Sequence, residues 1–194
     1  MRPIILWDVM GTLVHDPFYE EMPEFFGVSF TDLLRQLKPG PWVEFELGKR
    51  TQAEFLSDFF ADGREFDHEG FVECVRGAYR WLPDMQELVA ELRAAGHSMH
   101  TLSNYPEWYR MIEARLEVSR FVDWTFVSCL MALRKPDPAV YTHVLHQLDV
   151  EPRRCIFVDD RENNCVAARE AGIHAIRFDG VETLRSELLE VGAL

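Results

Sequence analysis

Cations are scarce in this chain: twenty Lys and Arg stand against thirty-three Asp and Glu, a formal charge of −13. Most of such a surface would repel a phosphate backbone, so generic nucleic-acid binding is disfavoured. Long apolar runs are also missing. The opening stretch from Ile4 to Trp7 is cut at Asp8, too short for a signal-peptide core or a membrane span. The four cysteines, Cys74, Cys129, Cys155 and Cys165, have no CxxC spacing and no histidines arranged for zinc. They read as reduced thiols of a cytoplasmic protein, not as a disulfide framework. The seven histidines are scattered, with only His143 and His146 close at helical spacing, and there is no internal repeat or low-complexity segment. A small anionic substrate remains open, because a bound cation and a few local Lys or Arg can reverse the sign inside one pocket.

What is present suffices for a sizeable core. The 194 residues are 47% hydrophobic, which suits one domain, or one domain carrying an insertion. Short apolar runs ending in polar residues recur at Pro3 to Trp7, His97 to Leu102, Phe121 to Val127, Cys155 to Val158 and His174 to Phe178. They read as buried parallel strands. Helical patterns lie between and after them, at Asp84 to Ala95, Pro106 to Leu116, Pro138 to Leu148, Glu162 to Ala171 and Val181 to Leu189. The alternation predicts an α/β fold with a doubly wound, Rossmann-like parallel sheet covered on both faces.

Residues 15–82 break that rhythm and read as a helical insertion, leaving 1–14 and 83–194 for the sheet core. Ser29 to Leu37 and Thr51 to Phe60 are its clearest helices, separated by a turn at Lys38-Pro39-Gly40-Pro41. The second opens with the capping-box spelling Thr51-Gln-Ala-Glu54. Its apolar stripe, Phe55, Leu56, Phe59 and Phe60, predicts core packing of a small bundle, with a substrate-facing surface as the other reading.

Ligands of a doubly wound sheet bind outside the carboxyl ends of the strands. The polar strand ends supply Asp8, Ser103, Asn104, Asp159 and Asp160, and the loop Arg134-Lys135-Pro136-Asp137-Pro138 adds a cation. Three carboxylates in one cleft repel one another unless a cation joins them. An all-oxygen set without Cys or His selects Mg²⁺, which typically engages substrate phosphate.

The order of these motifs resembles the haloacid dehalogenase superfamily: Asp8-Val9-Met10-Gly11-Thr12, then Ser103, then Lys135, then Asp159-Asp160-Arg-Glu-Asn-Asn164. The resemblance covers the whole chain, and one branch of that family places a helical cap between the first and second motifs, where residues 15–82 lie. It implies that Asp8 is a nucleophile forming an aspartyl-phosphate, and that Ser103 and Lys135 bind the phosphoryl oxygens. Mg²⁺ would be held by Asp8, the Met10 carbonyl and Asp160, with Asp159 acting through a water. Thr12 would support the first motif and Asn164 would orient the acidic loop. Asn104 is divided between turn geometry and substrate contact, and Arg134 and Arg161 read as salt-bridge partners. The expected partner is a small phosphorylated metabolite, with no nucleic acid and no membrane, bound by a monomer or homodimer.

One position departs from the family's phosphatases, which usually place a second Asp two residues after the nucleophile. This chain has Met10. A thioether cannot protonate a leaving oxygen or activate water, a general acid/base role worth roughly 10² to 10⁴ in rate. His15 and Asp16, in the following loop, are candidates to supply it. The resulting expectation is a Mg²⁺-dependent phosphatase. The alternatives are a catalytically weakened domain that binds a phosphorylated ligand or a protein, a metal-free haloacid dehalogenase, and a phosphonate hydrolase. The haloacid dehalogenases have a tyrosine where this chain has Met10, and the phosphonate hydrolase needs a cap lysine, for which only Lys38 and Lys49 are available.

Overall fold

A computed structural model describes residues 2–194. Five parallel strands, β1 (Ile4–Trp7), β2 (Met99–Ser103), β3 (Asp123–Val127), β4 (Cys155–Asp159) and β5 (His174–Arg177), form one sheet in the order β3-β2-β1-β4-β5. Five helices lie between β1 and β2 before the last crossover helix: α1 (Glu21–Phe25), α2 (Phe30–Gln36), α3 (Pro41–Glu46), α4 (Gln52–Ser57) and α5 (His68–Ala78). The crossover helix itself is α6 (Met85–Ala94), followed by α7 (Tyr109–Leu116), α8 (Ser128–Met131), α9 (Pro138–Leu148), α10 (Glu162–Glu170) and α11 (Val181–Glu190).

Strand side chains alternate between faces, and β1 shows how both faces are covered. Ile5 and Trp7 join an apolar cluster with Leu88, Val89 and Leu92 of α6, Ile112 of α7 and Leu184 and Leu188 of α11. Leu6, between them, joins a separate cluster with Val140, Tyr141 and Val144 of α9 and Cys165 and Ala168 of α10. All three β1 residues are fully buried, which explains why the strand reads as a continuous apolar run.

The chain enters and leaves the inserted helices side by side. Val14 forms an antiparallel bridge with Trp81, flanked by the His15 amide on the Arg80 carbonyl and the Leu82 amide on the Leu13 carbonyl, each at 2.9 Å. The predicted capping box is present: the Thr51 hydroxyl accepts from the Glu54 amide, and the Glu54 side chain accepts from the Thr51 amide. The Lys38–Pro41 turn is shorter than expected, since Gly40 at φ +106° hands over to Pro41, which opens α3. Proline at the first helical position loses no hydrogen bond, so the residues that break one helix start another. Conversely α7 begins only at Tyr109, because Pro106–Trp108 form a turn closed by the Tyr109 amide on the Pro106 carbonyl.

α4 ends at Ser57, short of the predicted Phe60, yet the apolar stripe is buried, with Phe55 and Leu56 in the helix and Phe59 and Phe60 beyond its end each no more than 5% exposed; it is packing and not a substrate surface. Its cluster continues into the sheet domain through Trp108, whose ring meets Phe45, Phe55 and Trp42 edge-on at centroid separations of 5.3, 5.7 and 6.1 Å. Among the described residues, no helix is long and apolar enough to cross a membrane.

Candidate active site

The strand order places the chemistry. β1 is central, β2 and β4 are its two neighbours, and all three run the same way. Asp8 follows β1, Ser103 ends β2 and Asp159 ends β4, so the topology alone flanks Asp8 with one hydroxyl and one acid. After Asp8 the chain doubles back tightly: the Gly11 amide bonds the Val14 carbonyl at 2.8 Å, and Met10 and Val14 form a bridge. Gly11 sits at φ +77°, and a Cβ there would come within 3.0 Å of Asp160 Oδ2, so the turn requires glycine for both conformation and space.

Lys135 is the hub. Its ammonium, 2% exposed, donates to Asp8 Oδ1 at 2.7 Å, Asp159 Oδ2 at 2.6 Å and the Leu102 carbonyl at 2.6 Å, which uses all three protons. Asn104 holds the lysine's backbone in a reciprocal pair: the Lys135 amide donates to Asn104 Oδ1 at 2.8 Å, and Asn104 Nδ2 donates to the Lys135 carbonyl at 2.9 Å. Asn104 therefore acts on the site by fixing this loop. Asn164 Nδ2 donates to both Asp159 oxygens at 3.0 Å, and the Arg161 amide donates to Asp159 Oδ1 at 2.8 Å. Asp159 is fully buried and its oxygens are thereby engaged. Thr12 reaches Asp8 Oδ2 with its hydroxyl at 3.4 Å, a long contact.

Two buried oxygens at this centre, Ser103 Oγ and Asp160 Oδ1, lack a partner among the described residues. A buried polar atom without a bond is costly, so both positions suit a ligand: a hydroxyl free to donate, and a carboxylate oxygen free to coordinate. Carboxylate oxygens of Asp8, Asp159 and Asp160 lie within 4.8 Å of one another. Burial pushes the Asp8 carboxyl up to about 7, against the pull of the Lys135 ammonium and with the help of Asp159 and Asp160. Burial and the neighbouring Asp159 likewise raise Asp160. For Lys135 burial acts downward, but Asp159 and Asp8 outweigh it and hold the ammonium more firmly protonated than usual. The donor set is all oxygen, crowded with negative charge and one bond short at Asp160, and it fits a hard divalent cation such as Mg²⁺.

Above this centre opens a cavity of about 360 Å³. Asp8, Met10, Asn104 and Lys135 line it from the sheet, and Trp42 and Glu46 line it from α3. Sequence reasoning found the strand-end groups but missed Trp42 and Glu46, because the strand-end rule does not reach into an insertion, and Tyr105, which lies two residues beyond the end of β2. Glu46 is buried with Oε1 accepting from Trp42 Nε1 at 2.7 Å and Oε2 from Arg134 at 2.9 Å. Arg134 is thus the salt-bridge partner expected, whereas Arg161 donates to the Tyr19 hydroxyl at 2.9 Å; both also line the cavity. Lys38 is tied to Asp58 at 2.7 Å on the surface, and Lys135 is the one lysine among the described residues that line the cavity.

Comparison with known proteins shows which family and fold this chain is similar to. A family model described as haloacid dehalogenase-like hydrolase matches residues 3–172. The chain is 45% identical over 190 residues to the chloroplastic flavin mononucleotide hydrolase 1 of Arabidopsis thaliana, covering 98% of this chain and 78% of that protein. It is 31% identical over 154 residues to a sesquiterpene phosphatase of Aspergillus oryzae, covering 75% of this chain and 76% of the other. A haloacid dehalogenase family enzyme of Bacteroides thetaiotaomicron, solved in complex with magnesium and inorganic phosphate, superposes with a TM-score of 0.72 at 20% identity, covering 91% of this chain and 94% of that one. At that identity the superposition speaks for the fold.

Proposed function

The chain belongs to the haloacid dehalogenase-like hydrolases, and from that membership we propose that it is a Mg²⁺-dependent phosphatase of small organic phosphate monoesters. The observation that carries the reading is the buried Lys135 ammonium spanning Asp8 and Asp159 beneath the cavity, because it holds one carboxylate in place while offsetting part of its charge. Asp8 attacks phosphorus and forms an aspartyl-phosphate. The free Ser103 hydroxyl binds a phosphoryl oxygen, Lys135 does so by exchanging one of its three protein acceptors for phosphate when substrate enters, and Asn104 and Asn164 hold Lys135 and Asp159 at their stations. Asp8, Asp160 and the Met10 backbone carbonyl would hold Mg²⁺, with Asp159 bracing them from beneath; when bound, the ion offsets the repulsion between two approaching anions.

The substrate we favour carries a ring. The Arabidopsis relative is named for flavin mononucleotide, and Phe18, Trp42 and Tyr105 supply aromatic wall to the cavity. The four cysteines are all unpaired, which supports a reducing compartment such as the cytoplasm. The acid pair Asp159-Asp160 disfavours the dehalogenase reading, and a cavity with no cap lysine disfavours the phosphonate hydrolase.

The test is phosphate release from flavin mononucleotide and a panel of other monoesters, with and without Mg²⁺. The wild type should release phosphate only with the metal, and Asp8→Asn should not. Blanks from both proteins on every ester would sink the reading in favour of a binding domain. Halide release from 2-haloacids without metal would replace it with dehalogenation.

A further inference from the structure

With Met10 in place of the usual second acid, the proton transfers of the reaction need another donor. We propose that Asp16 supplies them, protonating the leaving oxygen and then taking a proton from the attacking water. The inference rests on the phosphatase reading above.

Three observations point to this residue. The first is placement. The Met10–Val14 bridge folds the chain back on itself, so that Asp16, two residues beyond Val14, returns to the same cavity that Met10 lines. The second is elimination. Among the described residues lining the cavity, the carboxylates are Asp8, Asp16 and Glu46. Asp8 is the nucleophile, and both oxygens of Glu46 are occupied by Trp42 and Arg134. Asp16 uses one oxygen, Oδ1, to accept the Phe18 amide at 3.0 Å, which fixes the carboxyl and leaves Oδ2 for a substrate. His15, the other nearby titratable group, is taken up by Glu21, whose oxygens lie 2.7 and 2.9 Å from His15 Nε2, and it does not line the cavity. The third is environment. Burial raises the Asp16 carboxyl above the usual range; the Phe18 amide, Arg161 and His15 act against it and Asp160 acts with it. A carboxylic acid that keeps its proton longer is a better donor near neutrality.

The chemistry balances. As an Asp8 oxygen forms its bond to phosphorus, the ester P–O bond breaks and the leaving oxygen takes the Asp16 proton, departing as an alcohol. Water then attacks the aspartyl-phosphate, passing a proton to the Asp16 carboxylate. The Asp8–phosphorus bond breaks with its electron pair returning to Asp8, and phosphate leaves with Asp16 protonated again.

Leaving-group dependence tests the role. Asp16→Asn is compared with the wild type, in Mg²⁺, on 4-nitrophenyl phosphate, whose leaving group needs no proton, and on flavin mononucleotide and glycerol phosphate, whose alkoxides do. On the alkyl esters the variant should lose roughly 10²- to 10⁴-fold in turnover. On the aryl ester it should keep a rapid burst of about one equivalent of 4-nitrophenol, followed by slow turnover, because the second step still lacks its base. Adding Met10→Asp to Asp16→Asn should restore alkyl turnover. An equal slowing of the burst and of both alkyl esters, or no slowing at all, would overturn the role of Asp16 while leaving the phosphatase standing. A wild type that releases no phosphate from any ester would overturn both.

Discussion

Lys135→Met isolates the energetics of the central ion cluster. Methionine keeps most of the apolar stem, so the change chiefly deletes the ammonium that lies 2.7 Å from Asp8 and 2.6 Å from Asp159. Two carboxylates then remain buried, and Asp159 stays held by Asn164 and the Arg161 amide. Removing one member of a buried ionic group costs about 3–5 kcal/mol, since the remaining charge is uncompensated. In a chain of this length each kcal/mol moves the midpoint by roughly 2–4 °C, so Tm should fall by roughly 6–20 °C near neutral pH. The loss has a direction in pH. Burial already lifts Asp8 to about 7, and Lys135 is what restrains it; without the lysine the folded-state value rises further. A carboxyl whose folded value lies above its unfolded one contributes stability below the unfolded value and loses it as pH rises through the folded value. The gap between variant and wild type should therefore be small near pH ~4 and widest above pH ~7. Thermal melts followed by circular dichroism, in chelator, read both quantities. A fall of less than ~3 °C near neutrality, where at least twice that is expected, or a gap that does not change with pH, would show that the cluster is not held by charge.

Two further substitutions separate function from folding. Ser103→Ala removes a buried hydroxyl with no partner among the described residues, so stability should hold or rise, while turnover of phosphate esters should drop at least tenfold; an equal loss of both would assign Ser103 to the scaffold. Gly11→Ala places a Cβ 3.0 Å from Asp160 Oδ2 at a residue held at φ +77°. It should weaken Mg²⁺ activation and raise the metal concentration needed for half-maximal rate, and an unchanged metal dependence would argue against Asp160 as a ligand.

The strand-end acids were legible because each sits where an apolar run stops, and parallel topology gathers such stops at one edge of the sheet. Lys135 was legible from the company of Arg134, Pro136 and Asp137, although its complete burial was not, since burial of a lysine depends on carboxylates 24 and 127 residues away. The inserted helices were the weak point. Helices α1, α3 and α5 went unnamed in the sequence because α1 and α3 are only 5 and 6 residues long and the region's abundant Phe obscures a single period. Trp42 and Glu46 consequently escaped notice as cavity walls, and the aromatic stripe considered as a possible substrate surface turned out to be interior. His15 and Asp16 are adjacent in sequence, and only the backbone path after Val14 decides which of them faces the cavity.

Trp108 belongs to the sheet domain, yet its ring is enclosed by Trp42, Phe45 and Phe55 from the insertion. The insertion and the sheet therefore do not own separate interiors, and neither is a module in the engineering sense. Helices grafted from another protein in place of α1 to α5 would leave Trp108 facing a stranger's side chains, and a sheet freed of these inserted helices would expose that indole to water. Changes of substrate range in this chain should accordingly arise by replacing single residues around the cavity and not by exchanging the inserted helices as a block, because the helices and the sheet have to vary together.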